Sequence, residues 1–253
     1  GWRRQPLPDN GQPMTKAATM KTDLGALPFE RDPAIWLANS SNYAVPRQQR
    51  SRLALERIVA AAVRLFAAKG FEATPVSEIA AEAGVPIGTV YQRFADKSAI
   101  LQTIIEGFRT LRMREIRGLC DSEQNRHASP AEVVALHVNI VFSAFRTDAG
   151  LLRLIERSRL EDRATHLDQS NANAEVADMI ADLLVMKLPG RDAAELRRRV
   201  FYAHSIIRGA VVWAALPDCG ELGEGLQVSD PQFARAALDM ALAYLDLDQP
   251  ASD

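Results

Sequence analysis

Cysteine is scarce in this chain. Cys120 and Cys219 are the only two in 253 residues, and they stand far apart. They offer neither a disulfide framework nor a metal-ligand spacing, and read as two reduced thiols. The four histidines, His127, His137, His166 and His204, form no His/Asp/Glu cluster with metal spacing either. Long apolar runs are missing too. AVVWAAL at 210–216 falls far below the roughly 18 residues that suggest a membrane span. The N-terminus has no apolar stretch of signal-peptide type, so the expected location is the cytoplasm, with no membrane partner. No segment alternates with the period of two that a half-buried strand requires. No nucleophile–base pair, metal set or phosphate-cradling loop stands out, so the chain is expected not to be an enzyme and to need no cofactor.

What is present is ordinary for a globular protein: 47% hydrophobic and 25% charged residues, with a net charge of −2. The charge is uneven, however. Between Arg47 and Lys97 there are eight basic and five acidic residues, while the rest of the chain carries the acidic excess. A basic segment joined to an acidic body fits a nucleic-acid reader with a separate regulatory part.

Residues 1–46 are rich in Pro, Asn, Asp, Gly and Ser and are expected to form a flexible extension, although PFERDPAIWLANS holds enough apolar residues to dock in part. From Arg52 the pattern is helical: Leu55, Ile58, Val59, Ala62, Leu65 and Phe66 make one stripe that stops at Gly70. Thr74-Pro75 reads as an N-cap with proline in the first helical position of a short helix ending at Gly84. A third helix is expected from about Pro86 to Phe94, and Asp96 caps a longer fourth one. The pattern SPAE at 129–132 is a capping box. Asp148, Asp192 and Asp230-Pro231 mark further helix starts. The expected fold is all-α with nine or ten helices, divided into the extension 1–46, a helix-turn-helix domain 47–98 and a helical ligand-binding and dimerisation domain 99–250.

Two short helices joined by a tight glycine turn form a helix-turn-helix if they cross steeply. Ala80 is small where they come closest, and Gly84 can take the left-handed conformation that ends the first. Val85, Val90 and Phe94 are spaced to plug a core of Ile58, Phe66 and Ile79. That leaves Ile87, Gly88, Thr89, Gln92 and Arg93 toward the exposed face, small at the front and hydrogen-bonding behind, as the floor of a major groove requires. Gln reads adenine and Arg reads guanine, but both also bind phosphate. Thr74 at a helix start, the Tyr91 hydroxyl, Lys97, and Arg47, Arg50 and Arg52 before the first helix are candidate phosphate contacts.

IVAAAVRLFAAKGFEATPVSEIAAEAGVPIGTVYQRFADKSAIL resembles the DNA-binding domain of the TetR family of bacterial transcriptional regulators. The resemblance covers about 45 residues in register and rests on Ile58, Leu65, Phe66, Gly70, Phe71, Thr74, Ile79, Ala80, Gly84, Val85, Gly88, Thr89, Tyr91, Phe94 and Lys97. The family's usual serine before the recognition helix is Pro86 here, which removes one phosphate donor. The resemblance implies a homodimer on a palindromic operator in double-stranded DNA, most often a repressor released by a small, largely apolar inducer. An all-α small-molecule binding protein without specific DNA binding is the alternative.

Helices around 100–117, 134–146 and 174–188 are placed to enclose a pocket, with Phe108, His137, Val141, Phe145, Met179 and Leu183 as candidate lining. His137 and His204 lie on apolar stripes, as core histidines or as polar anchors. His204, Ile207, Val211, Ala237, Ala241 and Tyr244, on the last two long helices, are the candidate dimer interface. Arg197, Arg198 and Arg199 read as a solvated face.

Overall fold

A computed structural model describes residues 37, 42–43, 49–147, 149–161, 163–215 and 227–247. Arg47, Asp148 and Cys219 lie outside them. Among the described residues there are ten helices and no strand, as the absence of a two-residue period implied.

The first three helices make a small head. Helix α1 (Gln49–Lys69) buries Leu55, Ile58, Val59, Ala62 and Phe66 and stops at Gly70, whose φ of +84° favours glycine. Helix α2 (Val76–Glu82) starts after Pro75, which holds the cap position in extended geometry. Thr74 is therefore not the cap that its sequence position suggested. Its hydroxyl instead donates back to the Gly70 carbonyl at 2.8 Å, and the side chain is fully buried. Gly84, at φ +63°, ends α2 in a Schellman turn: Val85 N–H donates to Ala80 O at 3.0 Å and Gly84 N–H to Ala81 O at 3.1 Å. Helix α3 (Ile87–Tyr91) follows at once, and Val90 and Phe94 drop from it into the core beside Ile58, Phe66 and Ile79.

Helix α4 (Lys97–Cys120) begins at Asp96, whose carboxylate accepts from Ala99 N–H at 2.8 Å. It runs without interruption from the head into the body, so a boundary at 98/99 falls inside its first turn. The body comprises α5 (Glu123–His127), α6 (Pro130–Thr147), α7 (Ala149–Glu161), α8 (Arg163–Lys187), α9 (Ala193–Ala215) and α10 (Pro231–Tyr244). Three of these starts are set by local bonds. In the capping box, Ser129 N–H donates to Glu132 Oε2 at 2.6 Å and Glu132 N–H donates to Ser129 Oγ at 3.3 Å. Asp192 accepts from Glu195 N–H at 2.7 Å, and Asp230 from Gln232 N–H at 2.8 Å.

Helices α8 and α9 pair along their length, and α6 packs against both and against α10, where Phe142 meets Phe233 edge-to-face at 4.9 Å. The head docks on the body through α1 and α7 as well as through α4. A Cβ added to Gly150 on α7 would lie 3.1 Å from both the Cβ and the carbonyl oxygen of Ala67 on α1, so this contact admits only glycine without movement.

The segment expected as a flexible extension that docks in part makes contacts at three described residues. Leu37 is buried, the Tyr43 hydroxyl donates to its carbonyl at 2.6 Å, and Asn42 Nδ2 donates to Glu106 Oε1 at 2.9 Å. The arginine run on α9 is more than a solvated face. Arg199 reaches Asp246 Oδ2 at 2.8 Å and lies over the Tyr244 ring, while Arg191 reaches the same carboxylate at 3.3 Å. Together they clamp the end of α10, where Asp246 takes a φ of +52°. The hydrogen bond and charge of Arg199 hold the Asp246 carboxyl below its usual pKa.

Candidate nucleic-acid interface and ligand cleft

Helix α3 has one side sunk in the head and the other open. Val90 is 1% exposed, whereas Ile87 is 45% and Tyr91 54% exposed. Gly88 and Gln92 are also exposed, and nothing lies within 4 Å of a Cβ built on Gly88. Thr89 is half-buried beside them. Pro86 at the cap position carries no side-chain donor, and its carbonyl accepts from Thr89 N–H at 2.8 Å. Arg50 and Arg52 stand exposed at the start of α1.

Three predicted contacts are engaged inside the protein. The Thr74 hydroxyl is buried as described, so its side chain presents nothing to a phosphate. Lys97 Nζ donates to the Phe71 carbonyl at 2.8 Å and to that of Glu72 at 3.4 Å, and sits 4.2 Å from the centroid of the Phe71 ring. It thus pins the α1–α2 connection to the start of α4. Arg93 is half-buried and hydrogen-bonded to Ser51 Oγ on α1, which ties the end of the turn to the head instead of leaving its guanidinium outward. Burial of neighbouring apolar groups positions all three, and spacing along one helix could not reveal it.

The body holds a cleft of about 90 Å³ among α4, α6, α7, α8 and α9. Phe108, Val141 and Phe145 line it, as the sequence suggested. His137, Met179 and Leu183 do not. His137 lies one ring behind the wall, and Met179 and Leu183 pack into the α8 side of the core. The lining that was not expected includes apolar residues such as Met113, Ile116, Leu152 and Val176 and a polar set: Arg109 and Arg112 on α4, Asn173 on α8, and His204 and Arg208 on α9. Arg112 occupies a place on the buried stripe of Ile105, Phe108 and Ile116, a signal that was readable. It is 7% exposed, and two of its contacts are Glu115 Oε2 and the Ile140 carbonyl, each at 3.4 Å. Arg208 pairs with Glu156, a 1% exposed carboxylate that Arg159 also contacts at 2.9 Å. Burial lowers the Arg208 pKa from its usual value.

His204 was expected as a core histidine, with a place at a subunit interface as the alternative. It is 3% exposed and meets His137 edge to edge, with ring planes 6° apart and Nδ1 2.8 Å from His137 Nε2. Burial keeps both neutral, pushing His137 down to about 4 and His204 further still, the latter with help from His137 and Arg208. The other expected interface residues Ile207, Val211, Ala237 and Ala241 are also buried within the protomer, because that stripe faces α6 and α8. Phe201, Tyr202, Ile206 and Trp213 on α9 and Met240 and Tyr244 on α10 are all 37–52% exposed, and of the expected six Tyr244 is the one among them.

Among the described residues, no group of His, Cys, Asp and Glu is arranged to hold a metal ion, and no helix is long and apolar enough to cross a membrane.

A head with two short helices joined by the Gly84 turn, linked by a continuous helix to an all-α body, defines a helix-turn-helix protein. Residues 58–104 match the family described as bacterial regulatory proteins, tetR family, and this segment is similar to its members. The uncharacterised HTH-type transcriptional regulator YerO of Bacillus subtilis (strain 168) is 33% identical over 100 residues, which cover 40% of this chain and 34% of that protein. The chain thus spans about a third of the curated relative it matches. The fold is shared more widely. A TetR-family transcriptional regulator of Streptomyces coelicolor superposes with a TM-score of 0.51 at 21% identity, over 78% of this chain and 98% of that one. The transcriptional regulator FadR of Bacillus subtilis, in complex with stearoyl-CoA, gives 0.53 at 20% identity over 75% and 98%. A protein of Saccharomonospora viridis described as a candidate transcriptional regulator, in complex with choline, gives 0.55 at 19% over 74% and 94%.

Proposed function

We propose that this chain is a ligand-responsive transcriptional regulator that binds a palindromic operator as a homodimer and is released from it by a small molecule, acting as a repressor in the cytoplasm. The observation that carries the reading is the two-sidedness of α3. Its apolar residues anchor it in the head, and Ile87, Gly88, Tyr91 and Gln92 remain open to a groove. Small residues at the front admit close approach, Gln92 offers a base-edge hydrogen bond, and Ile87 offers apolar contact to a thymine methyl. Tyr91, Arg50 and Arg52 serve as phosphate contacts at the flanks. Lys97 and Arg93 act mainly by holding the head in shape.

The domain division that suits this reading is an extension, 1–46, a reading head, 47–98, and a ligand-binding and dimerisation body, 99–250, with α4 as the rod between the last two. The exposed aromatic face of α9 and α10 is the kind of patch that closes by two-fold pairing. Gly209, with open space around it, lets the paired helices approach closely. The cleft supplies the ligand site, and regulators of this fold in complex with stearoyl-CoA and with choline support a small-molecule role. A regulator returns its ligand unchanged, whereas an enzyme would turn it over.

The test is selection of bound duplexes from a random pool, followed by anisotropy titrations at several salt concentrations. A selected palindrome whose affinity falls steeply with salt is the expected result. Enrichment of no sequence would favour the alternative, a small-molecule binding protein that does not read DNA.

A further inference from the structure

We infer that the ligand of the body cleft is a small uncharged molecule with a hydroxyl on an apolar body, and that this hydroxyl bonds to His204 Nε2. This rests on the reading of the cleft as the ligand site.

His204 lines the cleft, and His137 does not. The two rings are nearly coplanar and meet through His204 Nδ1, so the edge of His204 that carries Nε2 is turned away from its partner. His204 is 3% exposed, and among the described residues its Nε2 has no hydrogen-bond partner. A buried polar atom left alone costs free energy until something satisfies it. The arginines of the wall make no such demand. Arg112 reaches Glu115 and the Ile140 carbonyl, Arg208 is paired with Glu156, and Arg109 is engaged as well. With guanidinium and carboxylate already matched, the feature of the cleft that asks for a ligand atom is the imidazole edge.

The histidine pair decides what kind of group Nε2 takes. Its two neutral rings share one proton between the facing nitrogens. When His137 Nε2–H donates, His204 Nε2 carries its own proton and donates. When His204 Nδ1–H donates, His204 Nε2 is bare and accepts. A hydroxyl serves both arrangements, because it donates and accepts. A carboxylate or carbonyl serves only the first, and an ammonium only the second. The contact joins two uncharged groups, so it needs no counter-ion in the cleft. Much of the remaining wall is hydrocarbon, from Phe108, Met113, Ile116, Phe145, Leu152 and Val176. It suits an apolar body beside the hydroxyl. At about 90 Å³ the cleft is well below the roughly 300–1,000 Å³ of sites for drug-sized ligands, which limits that body to one ring or a short chain.

Phenol, toluene and benzoate share one ring and differ in the group it carries. Each is titrated at neutral pH into the full chain and into H204F, followed by calorimetry and by the nitrogen resonances of the histidine side chains. Phenol should bind the parent roughly tenfold tighter than toluene or benzoate. H204F should remove that preference while toluene binding is kept, and phenol but not toluene should shift the His204 Nε2 resonance of the parent. Retained toluene binding shows that the variant is folded. Should H204F fail to fold, the resonance in the parent chain decides. Equal binding of phenol and toluene by the parent overturns the hydroxyl assignment but leaves the cleft as an apolar ligand site. Tighter binding of benzoate than of phenol overturns the choice of an uncharged ligand. A phenol preference that survives in folded H204F, or an Nε2 resonance that phenol does not move, overturns His204 as the anchor. Binding of none of the three overturns the ligand-site reading together with the inference.

Discussion

His204 of α9 meets His137 of α6 edge to edge, with ring planes 6° apart and facing nitrogens 2.8 Å apart, although the two residues are 67 positions apart in sequence. Two buried imidazoles in one hydrogen bond are stable only while uncharged, since a proton on either is poorly solvated and repelled by its neighbour.

The pair makes stability depend on pH. Unfolding raises each histidine pKa from its lowered folded value, about 4 for His137, toward an ordinary 6.5. Between those limits the unfolded chain binds more protons, so stability rises with pH, and it is lost as pH falls below 6.5. The slope contributed approaches about 1.4 kcal/mol per pH unit for each proton taken up only on unfolding. Urea melts at pH 5.0 and 7.5 should show the loss. A folded H137L/H204L double variant should lose much less, and an equal loss in both proteins would assign the pH dependence to other groups.

Tyr91 and Gln92 are exposed and carry no core contact that a truncation would break. Y91A/Q92A should weaken binding to the selected duplex by tenfold or more, at roughly 1–3 kcal/mol per lost contact, with thermal stability unchanged within about 0.5 kcal/mol. Lys97→Gln differs, because Lys97 also joins α4 to the Phe71 and Glu72 carbonyls. It should lower both stability and DNA affinity. Parental binding by Y91A/Q92A would remove α3 from the interface.

Ile206 and Trp213 are seven apart on the outer face of α9, each about half exposed. If this face pairs two subunits, I206E/W213E places buried charges at the two-fold contact and yields a monomer by light scattering. Affinity for the full palindrome should then drop toward that for a half-site. A dimer that persists in the double variant would move the interface elsewhere.

Gly150 meets the Ala67 backbone closely enough that any Cβ must displace α7 from α1. G150V should cost roughly 1–3 kcal/mol, read as a lower melting temperature. Because this contact joins body to head beside the continuous α4, the same change should reduce the effect of bound ligand on DNA affinity. Unaltered ligand response would leave α4 as the sole mechanical link.

The helix starts at Asp96, Ser129, Asp192 and Asp230 were readable because each depends on a bond to a residue two or three positions on. The turn at Gly84 and the plug residues Val90 and Phe94 were readable for a similar reason: a short motif with little freedom carries them. Thr74 misled because an N-cap and a back-bond to Gly70 use the same residue type at the same place, and Pro75 tips the choice. Helix α9 misled because it is apolar on two faces. Val200, His204, Ile207 and Val211 form one stripe and Tyr202, Ile206 and Trp213 another, and periodicity identifies both without saying which is inside.

Composition and local pattern were enough to establish an all-helical chain with a helix-turn-helix segment, because capping bonds and stripes act within a turn or two of the backbone. The identity of the outward face, the engagement of Arg93 and Lys97 within the head, and the gathering of three arginines and a histidine pair around one cleft came from packing. Those relationships join residues tens of positions apart, and the arrangement of ten helices that buries the most apolar surface decides which of them meet.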